Sequence, residues 1–96
     1  MITGTTSQGF KFKVNEKMLN DWRFVKAIRR SESDDQGERL LGVTDIVFML
    51  LGEEQSDKLA EHIAKKNNGI APVDAMYKAV IEILNLCKEK NEEVKK

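Results

Sequence analysis

A chain of 96 residues makes one domain with a modest core, and 41% hydrophobic with 33% charged residues is too apolar for disorder and too charged for a membrane-embedded protein. Lys plus Arg and Asp plus Glu balance at 16 each, so no general attraction to nucleic acid or anionic lipid is expected. One Cys (Cys87) and one His (His62) exclude an internal disulfide and the usual zinc clusters.

The first residues, Met1-Ile2-Thr3-Gly4-Thr5-Thr6, carry neither the positive nor the apolar region of a secretion signal. The longest apolar run, Ile46 to Leu51, is about a third of the ~20 residues a membrane span needs. A cytoplasmic location is the expectation. Phe10-Lys11-Phe12-Lys13-Val14 then alternates apolar and polar with the period of a half-buried strand. With residues 2–6 opposite and a turn near Ser7 to Gly9, residues 1–14 are expected to form a β-hairpin that must pack on helices.

From Asn15 the period changes. Asn15 is suited to cap a helix with Met18, Trp22, Val25 and Ile28 on its apolar side. Ser31 to Gln36 interrupts it, and Asp35 followed by Glu38 has capping-box spacing. A second helix runs from there to Leu51. Its later half is apolar on nearly every side, the pattern of a central, enclosed element. Gly52 is expected to end it, with Glu53 and Glu54 opening a third helix on the stripe Leu59, Ala60, Ile63.

Asn67-Asn68-Gly69 is a stop signal, Gly69 being suited to a left-handed C-cap. Pro72 and Asp74 fit the first turn of a fourth helix. Val73, Met76, Tyr77, Val80, Ile83, Leu84 and Cys87 form its stripe, and Ala79, Ile81 and Leu86 lie off it. Cys87 therefore reads as a buried structural thiol. The expected architecture is mainly α, about four helices in a compact bundle with a short N-terminal β-hairpin. It is a single domain, 1–96, with a ribbon at 1–14, a helical core at 15–88 and a frayed, charged tail at 89–96.

No phosphate-binding, dinucleotide, zinc-protease or redox-pair motif occurs. His62 reads as a surface histidine rather than a general base, and the pairs Asp34-Asp35 and Glu53-Glu54 as solvated loop and helix-dipole residues rather than metal ligands. No enzymatic activity, cofactor or metal is expected. The short basic clusters around Lys26 to Arg30 and Lys65-Lys66 have acids nearby, and the helix after Asp35 is too apolar for a recognition helix. A protein-binding module is the favoured class. Trp22, Phe24, Met76, Tyr77 and Ile81 are the candidate contact residues, because aromatic and methionine side chains left partly exposed serve interfaces.

The order of segments adds a resemblance. After the strand G-F-K-F-K-V come NEKMLNDWRFVKAI, then FMLLGEEQSDKLAEHI, then KNNGIAPVDAMYKAVIEIL. Over residues 9 to 86 this pattern resembles the tail assembly chaperones of long-tailed phages and prophages of Gram-positive bacteria. The resemblance implies a protein that binds the tape measure protein, keeps it soluble and assists recruitment of tail tube subunits, without nucleotide or cofactor. The alternative class is a small oligomeric adaptor or DNA-binding regulator from a prophage, and a homo-oligomer is compatible with either.

Overall fold

The computed structural model describes the backbone of residues 1–95 and the side chains of residues 1–89. The expected frayed tail, 89–96, falls almost entirely outside the described side chains. The elements in chain order are β1 (Ile2–Thr5), β2 (Lys11–Val14), a 3-10 helix (Glu16–Asn20), α1 (Trp22–Ser31), α2 (Gln36–Lys66) and α3 (Val73–Lys95). The protein is thus mainly helical with a two-stranded antiparallel ribbon, as its periodicities predict. Among the described residues it has three α-helical elements, however, rather than about four, because the expected second and third helices are joined across a break at Gly52.

The hairpin forms where the alternation places it. Ile2 pairs with Val14 and Thr5 with Lys11. Thr6 accepts from Gly9 N–H and donates its own N–H to Phe10 O, while its Oγ1 accepts from Phe10 N–H. Gly9 takes φ +88° at the loop, where a side chain would be strained. Phe10, Phe12 and Val14 then face the core and Lys11 and Lys13 face water.

The first helical segment departs from the expected stripe. Asn15 caps only the 3-10 helix, accepting from Lys17 N–H, and the chain turns extended at Asp21 before α1 begins. Asp21 caps α1 by accepting from Arg23 N–H. The interruption resets the phase. Phe24, Ala27 and Ser31 point inward, whereas Trp22 and Val25 stay exposed. The reason lies in the partner helix: a Cβ on Gly42 of α2 would stand 2.3 Å from Ser31 N, 2.7 Å from the Arg30 carbonyl carbon and 2.9 Å from Ala27 O. Backbones approach that closely only if both faces carry small residues, and Ala27, Ser31 and Gly42 supply them. A face bearing Trp22 has no room there. Arg30 fastens the crossing by reaching Glu38 at 2.9 Å and Asp45 at 3.3 Å.

Helix α2 is where two expected helices become one element. Asp35 caps it through Glu38 N–H, the first half of the anticipated capping box, while the Glu38 carboxylate turns to Arg30 instead. At Gly52 the dihedrals leave the helix (φ 78°, ψ 170°) and α2 continues beyond as a second arm. That conformation is essentially reserved for glycine. Two side chains stitch the break. Ser56 Oγ lies 2.6 Å from Gly52 O and 3.3 Å from Val47 O. Gln55 Nε2 donates to Leu51 O at 2.9 Å and to Lys13 O at 2.8 Å, and its Oε1 accepts from Lys13 N–H at 2.8 Å. The Gln55 amide therefore behaves as one residue of a third strand beside β2, quieting part of an open edge. Gly52 thus ends the first helical arm and a second arm begins just beyond it, and these side chains answer the backbone groups that the break leaves bare.

At the far end of α2, Gly69 N–H returns to Ala64 O at 2.8 Å, a Schellman closure. Asn68 (φ 56°) takes its left-handed position and Gly69 (φ 87°) follows in the same region. Pro72 O accepts from Met76 N–H, so proline stands just ahead of α3. The core gathers Phe10, Phe12 and Val14 of the ribbon, Phe24 of α1, Ile46, Leu50 and Leu59 of both arms of α2, and Val80, Ile83 and Cys87 of α3. Cys87 is buried, the place its apolar pattern indicates.

Substituting the two structural glycines separates space from conformation. Gly42→Ala meets backbone and should lower stability by about 1–3 kcal/mol. Gly52→Ala meets nothing within 4 Å, yet should cost about as much through its dihedrals alone. Urea midpoints check both, and Gly37→Ala, beside only the tip of Asp35, should be near neutral.

The Asp21 carboxyl is held below its ordinary value of 3.8, first by the Arg23 guanidinium and then by the Arg23 N–H. A lowered folded-state value means that the cap's contribution is complete above 3.8 and lost as pH falls through the lower value. Acid titration should therefore loosen the first turn of α1 below the ordinary aspartate range, read from the amide shifts of Arg23 and Phe24. Asp21→Asn should remove that pH dependence.

Candidate functional site

The outer side of α2 follows from its inner side. Burying Val43, Ile46, Val47, Leu50 and Leu51 turns Leu40, Leu41, Thr44 and Phe48 outward, at spacings of three and four. Phe48 is 48% exposed, Leu40 41% and Leu41 53%. The later half of this run is enclosed as expected at Ile46, Val47, Leu50 and Leu51, with Phe48 the exception, while Leu40 and Leu41 of the earlier half also stay in water because one core saturates one side. The start of α3 lies alongside. Val73, Met76 and Ala60 join Val43, Val47 and Phe48 around a hollow of about 180 Å³. Val43 and Val73 also line an adjoining hollow of about 480 Å³ with Leu40, Pro72 and Tyr77. The two share Val43 and Val73 and together make a groove bordered by the α1–α2 turn, α2 and the first turns of α3.

Its rim is charged unevenly. Glu32 and Asp34 of the α1–α2 turn, Asp57 of the second arm of α2 and Asp74 of the first turn of α3 line it, against a single Arg39. Among the described residues none of these side chains forms an ion pair. The groove therefore presents apolar walls and unneutralised carboxylates together.

The five candidate contact residues separate into three groups. Met76 and Tyr77 are half-buried and line the groove. Ile81 is half-buried one turn beyond Tyr77 on the same side of α3, extending the row Val73, Tyr77, Ile81. Trp22 is 75% exposed at the start of α1 and does not line the groove. Phe24 is 1% exposed and is a core residue, not a contact, since the phase reset at Asp21 turns it inward. Sequence reasoning missed Leu40, Phe48, Val73 and the four acids. The signal for the first two was present, as a helix apolar around its whole perimeter has more apolar surface than one small core can cover.

The most polar constellation lies elsewhere, where the hairpin loop meets α2 and α3. Glu82 accepts from the N–H and, at 3.0 Å, the Oγ of Ser7. Gln8 O lies 2.8 Å from His62 Nε2 and accepts from Lys66 Nζ at 2.8 Å. Phe10 packs against the His62 ring, with centroids 5.9 Å apart. Ser7 Oγ is directed to a carboxylate and His62 to a main-chain carbonyl, so hydroxyl and imidazole are not joined as a nucleophile and its base are. These bonds fasten the loop to both helices. Among the described residues no three His, Cys, Asp or Glu side chains cluster closely enough to hold a metal ion, and no helix is long and apolar enough to cross a membrane.

Compared with known proteins, the chain matches no family model, no curated protein and no solved structure.

The difference between groove and core is measurable by stability alone. Phe24→Ala should cost about 3–5 kcal/mol, whereas Phe48→Ser, at a half-exposed position, should change the unfolding free energy by less than about 1 kcal/mol. Thermal and urea unfolding of the two variants checks the assignment.

Proposed function

We propose that the chain is a tail assembly chaperone of the kind encoded by long-tailed phages and prophages of Gram-positive bacteria. In this reading it binds the tape measure protein, keeps it soluble in the host cytoplasm and yields it to tail tube subunits. It does so without catalysis or a cofactor. The observation that carries the reading is the exposed apolar row Leu40, Phe48 and Val73 beside Met76 and Tyr77. A contiguous apolar strip on so small a chain is the kind of surface that engages another protein. The order of segments over residues 9 to 86 supports the same reading.

The mechanism is mass action. A chaperone that covers the apolar stripe of a long helix lowers the free concentration of its aggregation-prone segments, and tube subunits displace it by competing for that stripe. Co-expression with the tape measure protein encoded alongside it tests the proposal. The large protein should be recovered soluble only in the presence of this chain, and the two should co-purify. No gain in solubility and no association would overturn it.

A further inference from the structure

We infer that the groove between α2 and α3 is a seat for a basic amphipathic helix of another protein, its apolar stripe against Phe48, Val73 and Tyr77 and its cations against Glu32, Asp34, Asp57 and Asp74. The inference rests on the reading of this chain as a protein-binding module and specifies the chemistry of what it binds.

Three features of the groove select that occupant. Its walls are two helices with apolar side chains at three- and four-residue spacing, the relief that accepts another helix presenting residues at i, i+3, i+4 and i+7. The polar groups around it are side chains, the carboxylates together with Gln36, Arg39 and the hydroxyls of Ser31, Ser33, Thr44 and Ser56, and the ribbon edge that an extended peptide would join is partly occupied by Gln55. The charge then sets the sign of the partner. Four carboxylates, drawn from the α1–α2 turn, the second arm of α2 and the start of α3, against the one guanidinium of Arg39 favour Lys and Arg flanking the partner's apolar stripe.

The same charges argue against the other occupants. A second copy docked groove to groove would bring acid against acid across a two-fold axis, an unfavourable arrangement. Nucleic acid would bring phosphates to the same carboxylates. The rim also explains how an apolar strip is tolerated before the partner arrives, since unneutralised carboxylates around it discourage self-association.

The test uses the full chain and two synthetic helical peptides of about 18 residues, long enough for five turns. One carries Leu at i, i+3, i+4 and i+7 with Lys elsewhere, and the other has Glu in place of Lys. Titration calorimetry and amide-shift mapping should show the Lys peptide binding at α2 and α3, at least about tenfold more tightly than the Glu peptide, with affinity falling as salt rises. Phe48→Ser should weaken it about tenfold, and Asp34→Asn with Asp57→Asn should weaken it several-fold and flatten the salt dependence. Circular dichroism confirms that each variant is folded.

Equal affinity for both peptides, shifts that map away from the groove, or unchanged affinity in Phe48→Ser would overturn the inference. So would a dimer of the free chain that Phe48→Ser dissolves, because the occupant would then be a second copy. Co-expression reports separately on the tape measure protein. Peptide binding without that association would leave the groove's chemistry standing and remove only the proposed identity of the partner.

Discussion

The bend at Gly52 is the constraint on which the rest of the molecule depends. Without it, α2 would run as a straight rod over residues 36–66, about 45 Å long at 1.5 Å per residue. A rod of that length offers a small chain no concave side to fold around. With the bend, Val43, Ile46 and Leu50 on one arm and Leu59 and Ile63 on the other contribute to the same core. The left-handed φ is available to glycine at little cost, and the side chains that follow it, Gln55 and Ser56, supply hydrogen bonds where the helical ladder is interrupted.

The ribbon is coupled to that bend. Two strands alone are marginally stable, and here their apolar face lies on the helices while Gln55 holds the Lys13 backbone at both its donor and its acceptor. At the opposite end, Ser7 and Gln8 are held by Glu82, His62 and Lys66. The polar residues most suggestive of chemistry are thus engaged in fastening the hairpin to both helices. The second close constraint, Gly42 against the last turn of α1, fixes which side of α1 faces inward and leaves Trp22 outside.

The apolar groove is a consequence of these two constraints. Once one side of the first arm of α2 is committed to the core and to α1, its remaining apolar residues are only bordered by the start of α3 and, among the described residues, stay exposed. Α surface of that kind exposes area that favours association, and the carboxylates around it give the association a sign. Geometry and charge at one place connect the fold to a binding role.

Much of this was legible in the sequence. The strand alternation at Phe10 to Val14, the caps at Asp35 and around Gly69, the buried Cys87 and the mainly helical class follow from spacing and residue type, because those signals act over a few neighbouring residues. The inward side of α1 did not follow. Two apolar series overlap between Trp22 and Ser31, and only the closeness of Gly42, distant in sequence, selects the one bearing Phe24 and Ala27. The break at Gly52 did follow, but not how its two arms are held, which Gln55 and Ser56 decide by bonding across it. The groove depended most on tertiary structure: Leu40, Phe48 and Val73 are apolar residues like any others in the sequence, and whether a side chain is core or surface is settled by which elements remain to cover it.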